Sequence, residues 1–286
     1  MKISIIDKKD ISLKIQNSTI KFDDITLPFR LVDTLLIVSN ITVNSKDLIK
    51  ITDNKINIIF ANNHTNKSSI ITSTNQKNAD LRLKQYRALD RRVEIARYII
   101  AEKLKRHTAQ LEENNLAINT QAYLEKLEVA KDIEAILGIE GSYSKEYFRH
   151  YFTLFPKKFH NSKRTKRPPL DPLNALLSFF YSLLYDIITV RLFSYGFDPD
   201  ISYLHTPFRS HHALSSDLLE LFRDQVNQFV KIIIDKDVIL LEDFTKKGGV
   251  YLKYSGRKKL YEPLKNLWER LEPKINHEIA KLRSIL

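Results

Sequence analysis

Four side chains in this sequence have the types and spacing for chemistry: Glu140 in LGIEGSYSKEYF, His205 in YLHTPF, and Asp217 with Glu220 in SSDLLELFR. Carboxylates and imidazole are ligands for hard divalent cations; magnesium and manganese want several oxygens, and manganese in particular accepts an imidazole nitrogen. The chain has no cysteine, so zinc-thiolate clusters, disulfides and thiol nucleophiles are excluded, and a metal site must be built from oxygen and imidazole alone. Each residue also has an ordinary reading. Asp217 and Glu220 are three apart on one face of a helix, and the same pattern is a capping box favoured by the helix dipole. Glu140 lies between Gly138 and Gly141, where it reads equally as a first-turn acid of a helix starting there. His205 follows an apolar pair and is followed by His211 and His212, so by itself it is as readily a hydrogen-bonded structural residue.

These residues need a scaffold. Up to about Ser73 the pattern is short alternating runs, ISLKI (11–15), TLLIVS (34–39), INIIFA (56–61) and SSIITS (68–73), punctuated by Asn, Asp, Lys and Ser, which predicts a small β domain. The period changes in TNQKNAD (74–80), after which Leu83, Tyr86, Leu89, Val93, Ala96, Ile100 and Leu104 form one apolar stripe of a long linking helix. Further helices are expected over 123–137, stopped by Gly138, then over 142–155, stopped by Pro156, and over 172–193 and 216–230. A strand pair around 238–255, split by Gly248 and Gly249, precedes a final amphipathic helix from Tyr261. The expected organisation is thus α+β: a β-sandwich-like N-terminal domain over 1–77 and a larger all-α domain over 78–286.

With 46 Lys and Arg against 34 acids, the formal charge of +12 favours polyanionic partners, although a lysine-rich composition alone is weak evidence. The charge concentrates in KKFHNSKRTKRPP (157–169), which carries Lys157, Lys158, Lys163, Arg164, Lys166 and Arg167 and reads as a loop unfit for a core. That run is either a grip on nucleic-acid phosphates or a solvated loop. A second basic stretch, with Arg91, Arg92, Arg97, Lys103, Lys105 and Arg106, is interleaved with acids and reads as readily as a solvated helix face. Arg223 would contact phosphate or balance Glu220. The apolar run 173–193 nearly reaches membrane-spanning length, but Asp186 and Arg191 interrupt it, so a buried core helix and no membrane association are expected. The opening residues lack the apolar core of a signal peptide, which with the missing cysteines points to the cytoplasm.

Taken in order, LGIEG with YF at 147–148, KRPPLDPLNALLSFFYSLL (166–184), LH at 204–205 and DLLELFR (217–223), together with the KQY of 84–86, resemble the CRISPR-associated endonuclease family that integrates new spacers, the first of the Cas proteins. The resemblance implies a metal-dependent DNA endonuclease and integrase that joins the 3′-hydroxyl end of a short foreign DNA, the protospacer, to the CRISPR repeat by transesterification. It also implies Glu140, His205 and Glu220 as ligands of Mg2+ or Mn2+, with Asp217 as an assisting acid, and with reaction limited on the acid side near or below the imidazole's ordinary pKa of about 6.5. The implied partners are double-stranded DNA, a second copy of the chain docked through the β domain, and a small ferredoxin-like CRISPR-associated protein. Two positions depart from the family pattern: Ser202 and Tyr203 stand where a glycine is usual before the Leu-His pair, and Ser215-Ser216 precede Asp217 where an apolar residue is common. A non-catalytic basic nucleic-acid-binding subunit of the same fold is the alternative reading.

Overall fold

A computed structural model of the chain describes residues 3–8, 10–62, 67–72, 78–206 and 211–286. The alternation at the N-terminus builds strands β1 (Ile3–Ile6), β2 (Ile11–Gln16), β3 (Thr19–Phe22), β4 (Ile25–Pro28), β5 (Thr34–Ile37), β6 (Ile41–Val43), β7 (Asn57–Asn62) and β8 (Lys67–Ile71), with helix α1 (Ser45–Asp53) between β6 and β7. They form two four-stranded sheets, ordered β1-β5-β7-β8 and β4-β3-β2-β6. In β2, Ile11 and Leu13 are buried while Ser12 and Lys14 face out, the period-two signature of a half-buried strand. The inner faces of both sheets meet in one cluster that includes Ile6, Leu13, Ile20, Leu35 and Ile58, closed by Ile51 of α1. Helix α1 escaped the sequence reading because it is only nine residues long; Asn44 caps it, its side chain accepting from the Asp47 amide at 2.9 Å.

The helical elements are α2 (Ala79–Arg87), α3 (Arg92–Glu112), α4 (Thr120–Glu128), α5 (Ile133–Tyr151), α6 (Pro172–Ser194), α7 (Ala213–Glu220), α8 (Arg223–Asp235) and α9 (Tyr254–Ile285), with an antiparallel pair β9 (Phe244–Lys246) and β10 (Val250–Leu252) before α9. The α+β class expected from the sequence holds. By internal contacts the chain forms two units: one comprises 1–83, 186–198 and 261–286, the other 84–185 and 199–260. The boundary expected after residue 77 lies outside the described residues.

Several boundaries differ from expectation for identifiable reasons. Gly138 and Gly141 end no helix: α5 runs through both, and at each there is open space where a Cβ would stand. The helix break falls earlier, at 129–132, where Asp132 caps α5 by accepting from the Ala135 amide at 2.8 Å. Conversely, the helix expected over 216–230 is two, α7 and α8, parted at Leu221–Phe222, and Arg106 donates to the Leu221 carbonyl exposed by the break at 2.6 Å. Helix α6 is long and apolar enough to cross a membrane, but most of its apolar stretch is buried inside the protein. Its interrupting charges are partnered: Asp186 accepts from Ser68 Oγ at 2.5 Å and Arg191 pairs with Glu272 at 2.5 Å.

What positions the candidate site is the register of α5 on α3. Tyr143, Tyr147 and Tyr151 recur every four residues on α5 and are fully buried. Their hydroxyls donate to the Leu104 carbonyl at 3.0 Å, to Gln110 Oε1 at 2.6 Å and to the Asn227 carbonyl at 2.8 Å, which pins α5 to α3 and α8. Partners on α3 and α5 keep a nearly constant sequence offset, 37 for Lys103–Glu140 and for Gln110–Tyr147, and 39 for Leu104–Tyr143, so the two helices run in the same direction with α4 in the connection. Glu140 sits one turn before Tyr143 on the same face, and this register brings it against Lys103.

Candidate active site

Glu140, His205 and Glu220 line one cavity of 1030 Å³, walled also by Lys103, His107, Lys166 and Arg223. Helix α5 supplies Glu140, the loop ahead of α7 supplies His205, and α7 supplies Glu220 at its last residue. All eight residues of α7 are buried, so both of its acids are withdrawn from water and each needs partners.

Asp217 finds four. Its Oδ2 accepts from the Tyr203 amide at 2.7 Å and the Leu204 amide at 3.0 Å; its Oδ1 accepts from the His205 amide at 2.9 Å and lies 2.8 Å from His205 Nδ1. The carboxylate therefore fixes both the backbone of the histidine loop and the tilt of the imidazole, leaving Nε2 as the ring nitrogen for a ligand. The capping-box reading of residues 217 and 220 fails: the N-cap of α7 is His212, which makes no side-chain cap bond, and Asp217 stands in the body of the helix.

Glu220 and Glu140 share one cation. Lys103 Nζ lies 2.7 Å from Glu220 Oε2 and forms a short ion pair with Glu140 Oε1, and Arg223 Nε donates to Glu220 Oε2 at 2.7 Å. Ser144, one turn along α5, donates to Glu140 Oε1 at 2.6 Å. Burial alone would raise the Glu220 carboxyl, but Arg223 and Lys103 hold it well below the usual carboxylate range. Burial likewise works to raise Glu140, and the Lys103 charge with the Lys103 and Ser144 hydrogen bonds brings it below its ordinary value. Lys103, against its own burial, is raised by Glu220 and Glu140. For His205, burial is outweighed by the hydrogen bond and charge of Asp217 with help from Glu220, so its pKa is raised.

The donor chemistry fits a hard divalent cation: two ionised carboxylates and an oriented imidazole on one cavity wall. Yet among the described residues no three His, Asp or Glu side chains stand arranged to hold a metal ion. In their place the ammonium of Lys103 bridges the carboxylates of Glu140 and Glu220. Glu140 is also no first-turn acid, since it lies in the middle of α5.

The basic segment divides. Lys157, Lys158, Lys163, Lys166 and Arg167 are exposed, and Lys163 and Lys166 face the cavity. Arg164 also lines the cavity but is half-buried, donating to Asn174 Oδ1 at 2.9 Å and lying near the rings of Phe148 and Tyr181, so it fastens the segment to α6. Asn174 completes the fastening by donating to the Lys163 carbonyl at 2.7 Å. Nor is the whole segment loop: Lys157–Phe159 form a single helical turn, and Phe159 and His160 are buried. Arg223 lies over the Tyr181 ring at 4.5 Å while it pairs with Glu220, so it balances the acid and lines the cavity as well.

Sequence reasoning missed three cationic positions. Lys103, read as part of a basic helix face, is 3% exposed and belongs to the cavity; its place three residues after Ile100 and next to Leu104, inside the apolar stripe, was the available signal. Lys145 and Arg149, spaced four apart on α5, add to the basic wall. His107, one turn beyond Lys103, also lines the cavity; burial and the Lys103 charge push its pKa well down, so it is neutral.

Comparison with known proteins gives this architecture a class. The solved structure of TM1797, a Cas1 protein from Thermotoga maritima, superimposes with a TM-score of 0.91 at 23% identity, over 99% of this chain and 96% of that one. A casposase bound to an integration product matches with a TM-score of 0.83 at 21% identity, over 93% of this chain and 82% of that one. In sequence, the chain is 32% identical to CRISPR-associated endonuclease Cas1 1 of Thermodesulfovibrio yellowstonii, over 94% of this chain and 91% of the relative. The family model described as CRISPR associated protein Cas1 matches residues 3–266. The chain belongs to the Cas1 family.

Proposed function

We propose that this chain is a divalent-metal-dependent DNA integrase and endonuclease of CRISPR adaptation, joining 3′-hydroxyl ends of protospacer DNA to the CRISPR repeat by transesterification. The observation that carries the proposal is the convergence of Glu140, His205 and Glu220, from three separate parts of the chain, on one cavity with a basic wall. Family membership supports it, as do the endonuclease name of the Thermodesulfovibrio relative and the integration product in the casposase structure.

Glu140, Glu220 and His205 Nε2 would hold Mg2+ or Mn2+. Such an ion, when bound, polarises a phosphoryl oxygen and lowers the pKa of an attacking hydroxyl. The rest is done by the chain itself. Asp217 keeps the imidazole oriented. Lys163, Lys166, Lys145 and Arg149, which line the same cavity, attract the phosphodiester and hold it in line with the acids. The exposed Lys157, Lys158 and Arg167 extend that positive surface for duplex DNA. Arg223 keeps Glu220 ionised. No protein nucleophile is needed, because the attacking hydroxyl belongs to DNA or water. By family likeness the protein acts in the cytoplasm as a homodimer joined through its β sheets, with the small ferredoxin-like CRISPR-associated protein, and residues 78–286 carry the catalysis.

The test is strand transfer of a labelled 3′-hydroxyl duplex into a repeat-containing DNA with Mn2+ or Mg2+, comparing wild type with Glu140→Gln and Glu220→Gln. Loss in both variants with DNA binding retained supports the proposal. Undiminished joining overturns it and leaves a DNA-binding subunit.

A further inference from the structure

The two carboxylates that the proposed function assigns to a divalent ion are already neutralised by the protein. Lys103 touches both, and Arg223 doubles the pairing on Glu220. Lys103 is 3% exposed and springs from a helix whose register on α5 is fixed by buried tyrosine hydroxyls, so its ammonium has little room to retreat into solvent. A dication entering here meets two carboxylates and, within the same few ångströms, an ammonium and a guanidinium that repel it. What changes the balance is an anion. A phosphodiester drawn in by Lys163 and Lys166 adds negative charge at the cavity and gives the Lys103 ammonium another partner.

We propose that Lys103 is a resident counter-charge that occupies the cation site of the DNA-free protein and yields it when a DNA phosphate enters, so that divalent metal and DNA bind cooperatively. Lys103 is then a positioning residue that makes the hydrolytic centre assemble on DNA. The proposal rests on the metal-dependent reading given under Proposed function and adds to it an order of events. By linkage, whatever factor DNA adds to metal affinity, metal adds to DNA affinity.

The experiment is Mn2+ binding to the full chain, read from the electron paramagnetic resonance signal of the free aquo ion, with and without a dideoxy-terminated duplex that cannot be joined. Wild type should bind Mn2+ at least about tenfold tighter with duplex than without. Lys103→Met should bind it at least about tenfold tighter than wild type in the absence of DNA, and gain little from the duplex. Lys103→Arg, which keeps the charge, should behave as wild type. Circular dichroism and thermal unfolding establish that each variant is folded; should Lys103→Met not fold, the wild-type comparison with and without duplex decides. Equal Mn2+ affinity in the presence and absence of duplex overturns the proposal and leaves the metal site standing. Wild type that binds no Mn2+ in either condition, yet joins DNA in chelator, refutes the metal-dependent reading itself. With Mn2+ taken up by the duplex alone subtracted, Glu220→Gln, with one ligand lost, should lose the DNA-dependent gain and so tie the signal to this cavity.

Discussion

Asp217→Asn tests the internal logic of the site at a residue that never needs to touch metal or DNA. The carboxylate is fully buried and accepts four hydrogen bonds, two on each oxygen. An asparagine of the same shape keeps one accepting oxygen and turns the other side into a donor. If the amide nitrogen takes the Oδ2 position, the amides of Tyr203 and Leu204, both buried, face another N–H. Each unmet buried donor costs about 1–3 kcal/mol, so the loop carrying His205 should lose roughly 2–6 kcal/mol of local stability. The opposite orientation strips His205 Nδ1 and its amide instead, at a similar cost. Since 1.4 kcal/mol is tenfold, the lower bound corresponds to about 30-fold faster exchange of the amides at 203–205. Hydrogen–deuterium exchange with mass spectrometry on a peptide covering those residues reads this directly, and a peptide from α3 serves as the internal reference. Exchange in the variant within about threefold of wild type would refute the claim that Asp217 holds the histidine loop.

Glu140→Gln and Glu220→Gln should each lower strand transfer by about 100-fold or more while leaving duplex binding in the absence of divalent metal within a few fold, measured by gel assay and fluorescence anisotropy. Changing Lys163, Lys166 and Arg167 together to Gln should weaken DNA binding at every sequence and flatten its dependence on salt by about 0.9 per lost phosphate contact; an unchanged slope rejects that wall as the grip. Arg164→Ala should act differently, lowering the melting temperature through the lost bonds to Asn174 and Ser178, and a fully stable variant would contradict its anchoring role. Acid should destabilise the metal-free protein through the two paired carboxylates. Both have depressed folded-state pKa values, so their contribution is full above the unfolded value of about 4.3 and disappears as pH falls through the folded ones. Melting curves across that window should show a steeper fall for wild type than for Glu220→Gln, and parallel curves would count against the pairing.

Much of this was legible from residue types and order. Strand β2 announces itself because one face is buried, and the alternation of Ile11 and Leu13 with Ser12 and Lys14 is that face in sequence form. The acids and the histidine stand out by residue type and order alone. What could not be read was which of the ordinary explanations would fail. Gly138 and Gly141 look like punctuation, and only the packing of α5 on α3 makes a continuous helix through them worthwhile, which places Glu140 in mid-helix. Lys103 shows the same limit from the other side: its sequence neighbours suggest a solvated face, and only the meeting of α3, α5 and α7 reveals two carboxylates waiting for it. Arg164 was one basic residue among six in its run until Asn174 and the two rings distinguished it.

The central claim is that Glu140, Glu220 and the Asp217-oriented His205 together bind a divalent cation on which phosphodiester chemistry depends. The most direct measurement is a crystal of the full chain with duplex DNA and Mn2+, with data collected for anomalous scattering by manganese. The account predicts a peak in this cavity about 2.0–2.5 Å from a carboxylate oxygen of each glutamate and from His205 Nε2, with Lys103 moved off at least one carboxylate. A peak bound elsewhere, or none in a crystal whose protein joins DNA, would contradict it.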